Sequence, residues 1–75
     1  MNKLVLTFVG YDNWHRPVYE NDGSLYVDVD PRAGRKESIC TKNNNDFNGE
    51  PDTPIEVMKR FNGVKLEFIP ERKTW

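Results

Sequence analysis

Apolar and polar positions follow a short period along most of this chain, and that pattern predicts strands before anything else. Leu4-Val5-Leu6-Thr7-Phe8-Val9 is an almost unbroken apolar run within residues 3–9, the mark of a strand covered on both faces. Gly10 follows, where a bend or bulge is easiest. Residues 17–20 and 25–30 form two arms around Asn21-Asp22-Gly23-Ser24, and Asp-Gly is a strong tight-turn signal. In the second arm Leu25, Val27 and Val29 share one face, while Tyr26, Asp28 and Asp30 share the other. A two-residue turn sets Tyr19 opposite Tyr26 and Val18 opposite Val27; a three-residue turn shifts the pairing by one. Pro31 closes that arm, and Ser38-Ile39-Cys40-Thr41-Lys42 is a further short strand. Val64, Leu66 and Phe68 alternate with Lys65 and Glu67 in a last, half-buried strand that Pro70 ends.

One segment breaks the period of two. Thr53-Pro54-Ile55-Glu56 has the form of a capping box with proline at the first helical position. Ile55, Met58 and Phe61 fall near one face, and Asn62-Gly63 is a helix stop, so the spacing predicts a short helix over 54–61. The order is then β-β-β-β-α-β. The expected fold class is α+β, a small twisted antiparallel sheet with one helix across it; a small SH3-like barrel is the alternative. Residues 1–70 make one small domain and residues 71–75 a charged tail.

Length and composition narrow the classes of function. Seventy-five residues leave room for a single small domain, too short for a doubly wound nucleotide-binding fold or an eight-stranded α/β barrel. Leu, Ile, Val and Phe make up 18 of the 75, enough for a core but with little surplus. Eleven basic residues face 12 acidic ones. That balance disfavours a nucleic-acid binder, which draws most of its affinity from basic excess. Cys40 is the only cysteine, so no internal disulfide can form, and the expected setting is the reducing cytoplasm. The first apolar run is too short to span a membrane, and no cleavage site follows it; the expectation is an unprocessed soluble protein with no membrane partner.

Catalytic and metal chemistry have little to stand on. Cys40 and His15 are the only Cys–His pairing, and Cys40 sits in an apolar strand context. Asp28, Asp30 and Gly34 faintly echo a calcium loop, but the glycine comes one place late and Ile39 stands at the twelfth position. No loop of glycines could cradle phosphate. The expectation is a protein that is not an enzyme and carries no cofactor or metal.

Two loop clusters remain. Tyr11-Asp12-Asn13-Trp14-His15-Arg16-Pro17 packs aromatic, cationic and acidic groups into a turn, and Trp and Arg are frequent interface anchors. Phe47-Asn48-Gly49-Glu50-Pro51-Asp52-Thr53-Pro54 is the second. The candidate partner-binding residues are Asp12, Trp14, His15, Arg16, Glu50 and Asp52. Trp14 serves equally well, on this reading, as a cap on the core with Arg16 stacked over it. A second set of candidates, for nucleic acid, joins Arg32, Arg35 and Lys36 to Tyr19 and Tyr26 as exposed stacking surfaces. An edge strand left unpaired can also meet its twin, which makes a homodimer one allowed arrangement.

The motifs Gly10-Tyr11-Asp12-x-Trp14-x-Arg16-Pro17-Val18-Tyr19, Gly23-x-Leu25-Tyr26-x-Asp28-Val29, Ile39-Cys40-Thr41 and Phe47-x-Gly49-Glu50-Pro51-Asp52-x-Pro54-Ile55 carry a resemblance. Over about residues 8–55 the chain resembles the large polyvalent protein associated domains carried by conjugative elements and phages of gut bacteria. The resemblance implies a bacterial mobile-element setting rather than a mechanism, and no catalytic residue transfers. With the two loop clusters, the expected function is a non-enzymatic protein-interaction module that presents the Trp14–Pro17 turn and the Glu50–Pro54 loop, and that setting allows it to act against or alongside host defence. The expectation is a domain that stands alone with no attached catalytic region, which departs from the usual large-protein setting.

Overall fold

A computed structural model of the protein describes residues 3–74. Six strands are present: β1 (Lys3–Tyr11), β2 (Pro17–Asn21), β3 (Ser24–Asp28), β4 (Ile39–Lys42), β5 (Pro51–Pro54) and β6 (Lys65–Ile69). They form one sheet in the order β5-β4-β3-β2-β1-β6. The first five strands meander antiparallel, and β6 returns to lie parallel to β1. The described strands therefore make an open, mixed sheet with edges at β5 and β6. This corrects the expected antiparallel sheet, and it is not a closed barrel.

The turn between β2 and β3 has two residues, Asp22 and Gly23, both at positive φ (51° and 84°). Two left-handed residues give a turn whose twist matches its strands. Tyr19 consequently pairs with Tyr26, and Val18 with Val27. In β1 the register shifts between Phe8 and Gly10, a bulge at the glycine, whose φ is 147°. A Cβ on Gly10 would lie 3.2 Å from the Phe47 ring, so the missing side chain also admits that ring.

The helix expected over 54–61 is absent. Two separate 3₁₀ turns stand there, Ile55–Val57 and Lys59–Phe61, and Met58 between them is extended (φ −94°, ψ 126°). The protein is thus mostly β, not α+β. Two physical reasons explain the difference. Ile55, Met58 and Phe61 recur every three residues, the period of a 3₁₀ turn, whereas the positions four on from Ile55 and Met58 are the polar Lys59 and Asn62. The chain must also cross from the β5 edge to the β6 edge, five strand spacings or roughly 24 Å, in the ten residues 55–64. That needs roughly 2.4 Å per residue, more than the 1.5 Å an α-helix advances.

The crossing segment lies over the main core. Leu4, Leu6, Tyr19, Tyr26, Ile39 and Ile55 are buried there, with Phe8, Met58, Phe61, Val64, Leu66 and Phe68 packed around them. The rings of Tyr19 and Phe68 meet edge to face with centroids 5.0 Å apart. The opposite face is covered only in part. Val18, Val27 and Cys40 are buried beneath Leu25 and Phe47, while Thr7 and Val9 on β1 stay exposed. The apolar run in β1 is therefore buried on one face and largely open on the other, not covered on both.

The segment after Pro70 folds back onto the core face. Arg72 donates to the Asp28 carboxylate (2.9 Å) and to the carbonyls of Arg35 (2.6 Å) and Asp30 (3.0 Å). The Lys73 N–H donates to the Tyr19 hydroxyl at 3.0 Å. Trp75, the end of the expected tail, lies outside the described residues. No helix among the described residues is long and apolar enough to cross a membrane.

Candidate functional site

The two loop clusters meet on the partly covered face, at the end of β1. Asp12 follows β1 directly, and its carboxylate organises the first loop. One oxygen accepts the N–H groups of Trp14 and Arg16, both at 2.9 Å. The other accepts Arg16 Nε at 3.1 Å and Lys42 Nζ at 2.7 Å. The backbone closes the same turn: Asp12 N–H donates to the Arg16 carbonyl and His15 N–H to the Asp12 carbonyl. The Asp12 and Lys42 side chains are both fully enclosed. Burial pushes the Asp12 carboxyl up, but the Lys42 hydrogen bond, the Arg16 and Trp14 N–H groups and the Lys42 charge together outweigh it and hold it below the ordinary value.

Lys42 ties this loop to the second. Its ammonium also donates to the Gly49 carbonyl at 3.0 Å. Asn13 N–H donates to the Asn48 side-chain oxygen at 3.2 Å. The second loop is closed across its base by Asn43 N–H to the Glu50 carbonyl (2.8 Å). Asn45 fastens it to the β2–β3 hairpin, accepting from Leu25 N–H (2.7 Å) and donating to the Gly23 carbonyl (2.8 Å). Phe47 packs onto the Val18, Val27 and Cys40 cluster.

Trp14 stands at the tip of this braced pair with 49% of its surface exposed. The Arg16 guanidinium lies 4.8 Å from the centre of its ring, a cation–π contact. Arg16 itself is mostly enclosed. Its Nε is held by Asp12, and its Nη2 is buried with no hydrogen-bond partner among the described residues. His15 is exposed and takes a left-handed conformation (φ 62°). Glu50 and Asp52 are exposed, Asp52 on the edge strand β5.

Two candidate sets need correction. Asp12 is buried and its carboxylate is taken up by Trp14, Arg16 and Lys42, so it positions the loop. Arg16 likewise stacks and braces instead of reaching outward. Tyr19 and Tyr26 are buried, at 0% and 3% exposure, because their side of the hairpin faces the main core. They offer no stacking surface to nucleic acid. Arg32, Arg35 and Lys36 are exposed on the loop before β4, but Arg32 is paired with Asp30 through two hydrogen bonds (2.8 and 3.2 Å). Lys42 is the residue that sequence reasoning missed. Its only signal was its place at the end of a short strand, on the same face as Cys40.

Cys40 is buried, and burial pushes its thiol up, away from the thiolate a nucleophile needs. Among the described residues no group of three or more His, Cys, Asp or Glu side chains could hold a metal ion. No protein-family model, no curated protein and no solved structure matches this chain.

Proposed function

We propose that the protein is a non-catalytic protein-binding module whose anchor is Trp14. One observation carries this reading: Trp14 is half exposed at the tip of a loop that a buried ion pair and a second loop hold still. A large aromatic group presented on a fixed support loses little freedom on binding, which is what makes tryptophan an effective anchor. The main core is complete without it. Asn13 and His15, next to Trp14 in the chain, are exposed, as are the acidic Glu50 and Asp52 of the second loop and β5, so the proposed partner is a protein with an apolar pocket and basic groups around it. The resemblance over residues 8–55 supports a setting for such a module beside the proteins of bacterial mobile elements, where it would act against or alongside host defence.

The test compares wild type with Trp14→Ala as immobilised baits in nuclease-treated bacterial lysate. Because the ring is half exposed, the substitution is expected to change stability by less than about 1 kcal/mol. A protein retained by wild type and lost by the variant, at closely similar melting temperatures, is the expected result. A variant that unfolds returns Trp14 to structural duty and ends the proposal. Salt-sensitive binding of purified DNA by the wild type, measured in a separate titration, would favour the basic loop of Arg32, Arg35 and Lys36 instead.

A further inference from the structure

The sheet has two edges, and they differ. The β5 edge begins and ends in proline, Pro51 and Pro54. Proline lacks an N–H and blunts an edge against further pairing. The β6 edge, Lys65–Ile69, has no proline until Pro70, and among the described residues no strand pairs with its outer side. Its side chains alternate sharply. Lys65 and Glu67 are exposed on one face, while Leu66 and Phe68 are half-buried on the other, against the main core.

We infer that β6 is a self-association edge, and that a second copy of this chain pairs with it antiparallel about a two-fold axis at Leu66. The charges select this register. With Leu66 at the axis, Lys65 lies opposite the partner's Glu67 and Glu67 opposite the partner's Lys65, two complementary pairs on one face. On the other face Leu66 meets the partner's Leu66 and Val64 meets the partner's Phe68. Slipping the register one step either way sets Lys65 against the partner's Lys65 or Glu67 against the partner's Glu67, like charges directly opposed. Glu67 already lies 2.7 Å from Lys3 in an exposed pair, so its carboxylate is held on the face where the partner's Lys65 would arrive.

The apolar side of the edge supports the same occupant. Val64 and Leu66 line an open groove of about 530 Å³ together with Ile39, Ile55 and Phe61. A strand added at β6 carries the apolar row past the rim of that groove, so the two cores join into one layer across the axis. This surface is separate from Trp14, and the two proposals stand or fall independently.

The charges supply the test. The oligomeric state of the full chain is measured by sedimentation over protein concentrations from about 10 μM to about 1 mM. Wild type is expected to be a concentration-dependent dimer. Lys65→Glu alone and Glu67→Lys alone each oppose like charges across the axis and are expected to raise the dimer Kd by about tenfold or more. Mixed together, the two variants again place acid opposite base at both positions, and a heterodimer is expected to form near the wild-type affinity. Both side chains are exposed, and circular dichroism of each variant checks that the fold is kept. A wild type that stays monomeric throughout overturns the inference. So does a dimer that neither substitution weakens, or one that mixing the variants does not restore.

Discussion

Two buried aspartates do the same local job with different cations. Asp12 and Asp28 each accept two backbone N–H groups from the loop that follows, Trp14 and Arg16 in one case, Asp30 and Ser38 in the other. Each then receives a cation from a distant part of the chain. For Asp12 that cation is Lys42, whose side chain is completely enclosed. For Asp28 it is Arg72, whose side chain keeps 17% of its surface in solvent. The difference is one of escape. Water can reach Arg72 if its partner is lost, but Lys42 would be left as an enclosed charge with no counter-ion from Asp12 and only the Gly49 carbonyl to accept from it. The Asp12 site therefore behaves as a lock on the Trp14 loop, and the Asp28 site as a clasp on the chain end.

The largest expected effect tests the lock. Asp12→Ala strands the Lys42 ammonium, and breaking a buried pair from one side costs about 3–5 kcal/mol. A domain of this size has stability of that order, so the variant should be near the edge of folding in urea denaturation. Adding Lys42→Met to Asp12→Ala removes the stranded charge and should recover much of the loss. If the double variant is no better than the single one, the cost lies in the turn itself and not in the buried cation.

The clasp is expected to be weaker. Arg72→Ala removes three hydrogen bonds but leaves Asp28 with both of its backbone donors, so the loss should be about 1–3 kcal/mol. The loop carrying Arg32 and Arg35 should also become more open to trypsin, because Arg72 holds the carbonyls of Asp30 and Arg35. A loss equal to that of Asp12→Ala would erase the distinction between the two sites.

Much of the sheet was legible because its signals are local. The Asp22-Gly23 turn and the alternation in Leu25, Val27 and Val29 define the hairpin, and Gly10 marks the bulge. What escaped depends on the whole molecule. Residues 54–61 carry helix-like caps, yet the distance between the sheet edges demands a more extended path, and no local pattern encodes that distance. β5 was hidden by its two prolines, which an edge strand tolerates and an interior strand does not. The loop clusters were legible as clusters because Trp14, Arg16 and Phe47 are conspicuous residue types. Their internal wiring was not, since it hangs on Lys42, an ordinary residue whose burial follows only from where β4 stops. Tyr19 and Tyr26 faced inward because Leu4, Leu6 and the crossing segment had to be covered, a requirement that the hairpin's own alternation leaves open.

Acid supplies the finest test of the lock. The Asp12 carboxyl lies below its ordinary value of 3.8, because its hydrogen bonds and the Lys42 charge outweigh the cost of burial. A depressed folded-state value means that the ionised form stabilises the fold. That contribution is complete above 3.8 and is lost as the pH falls through the lower, folded-state value. Asp12→Asn removes the titration while keeping the shape, although its amide turns a donor toward Lys42 on one side. The stability gap between wild type and Asp12→Asn should thus be constant from neutral pH down to about pH 5 and then narrow in stronger acid. Other carboxylates titrate equally in both proteins and cancel in the difference. A gap that instead widens as the pH falls would mean burial wins at Asp12, and the loop would then be held by its backbone hydrogen bonds rather than by a charge.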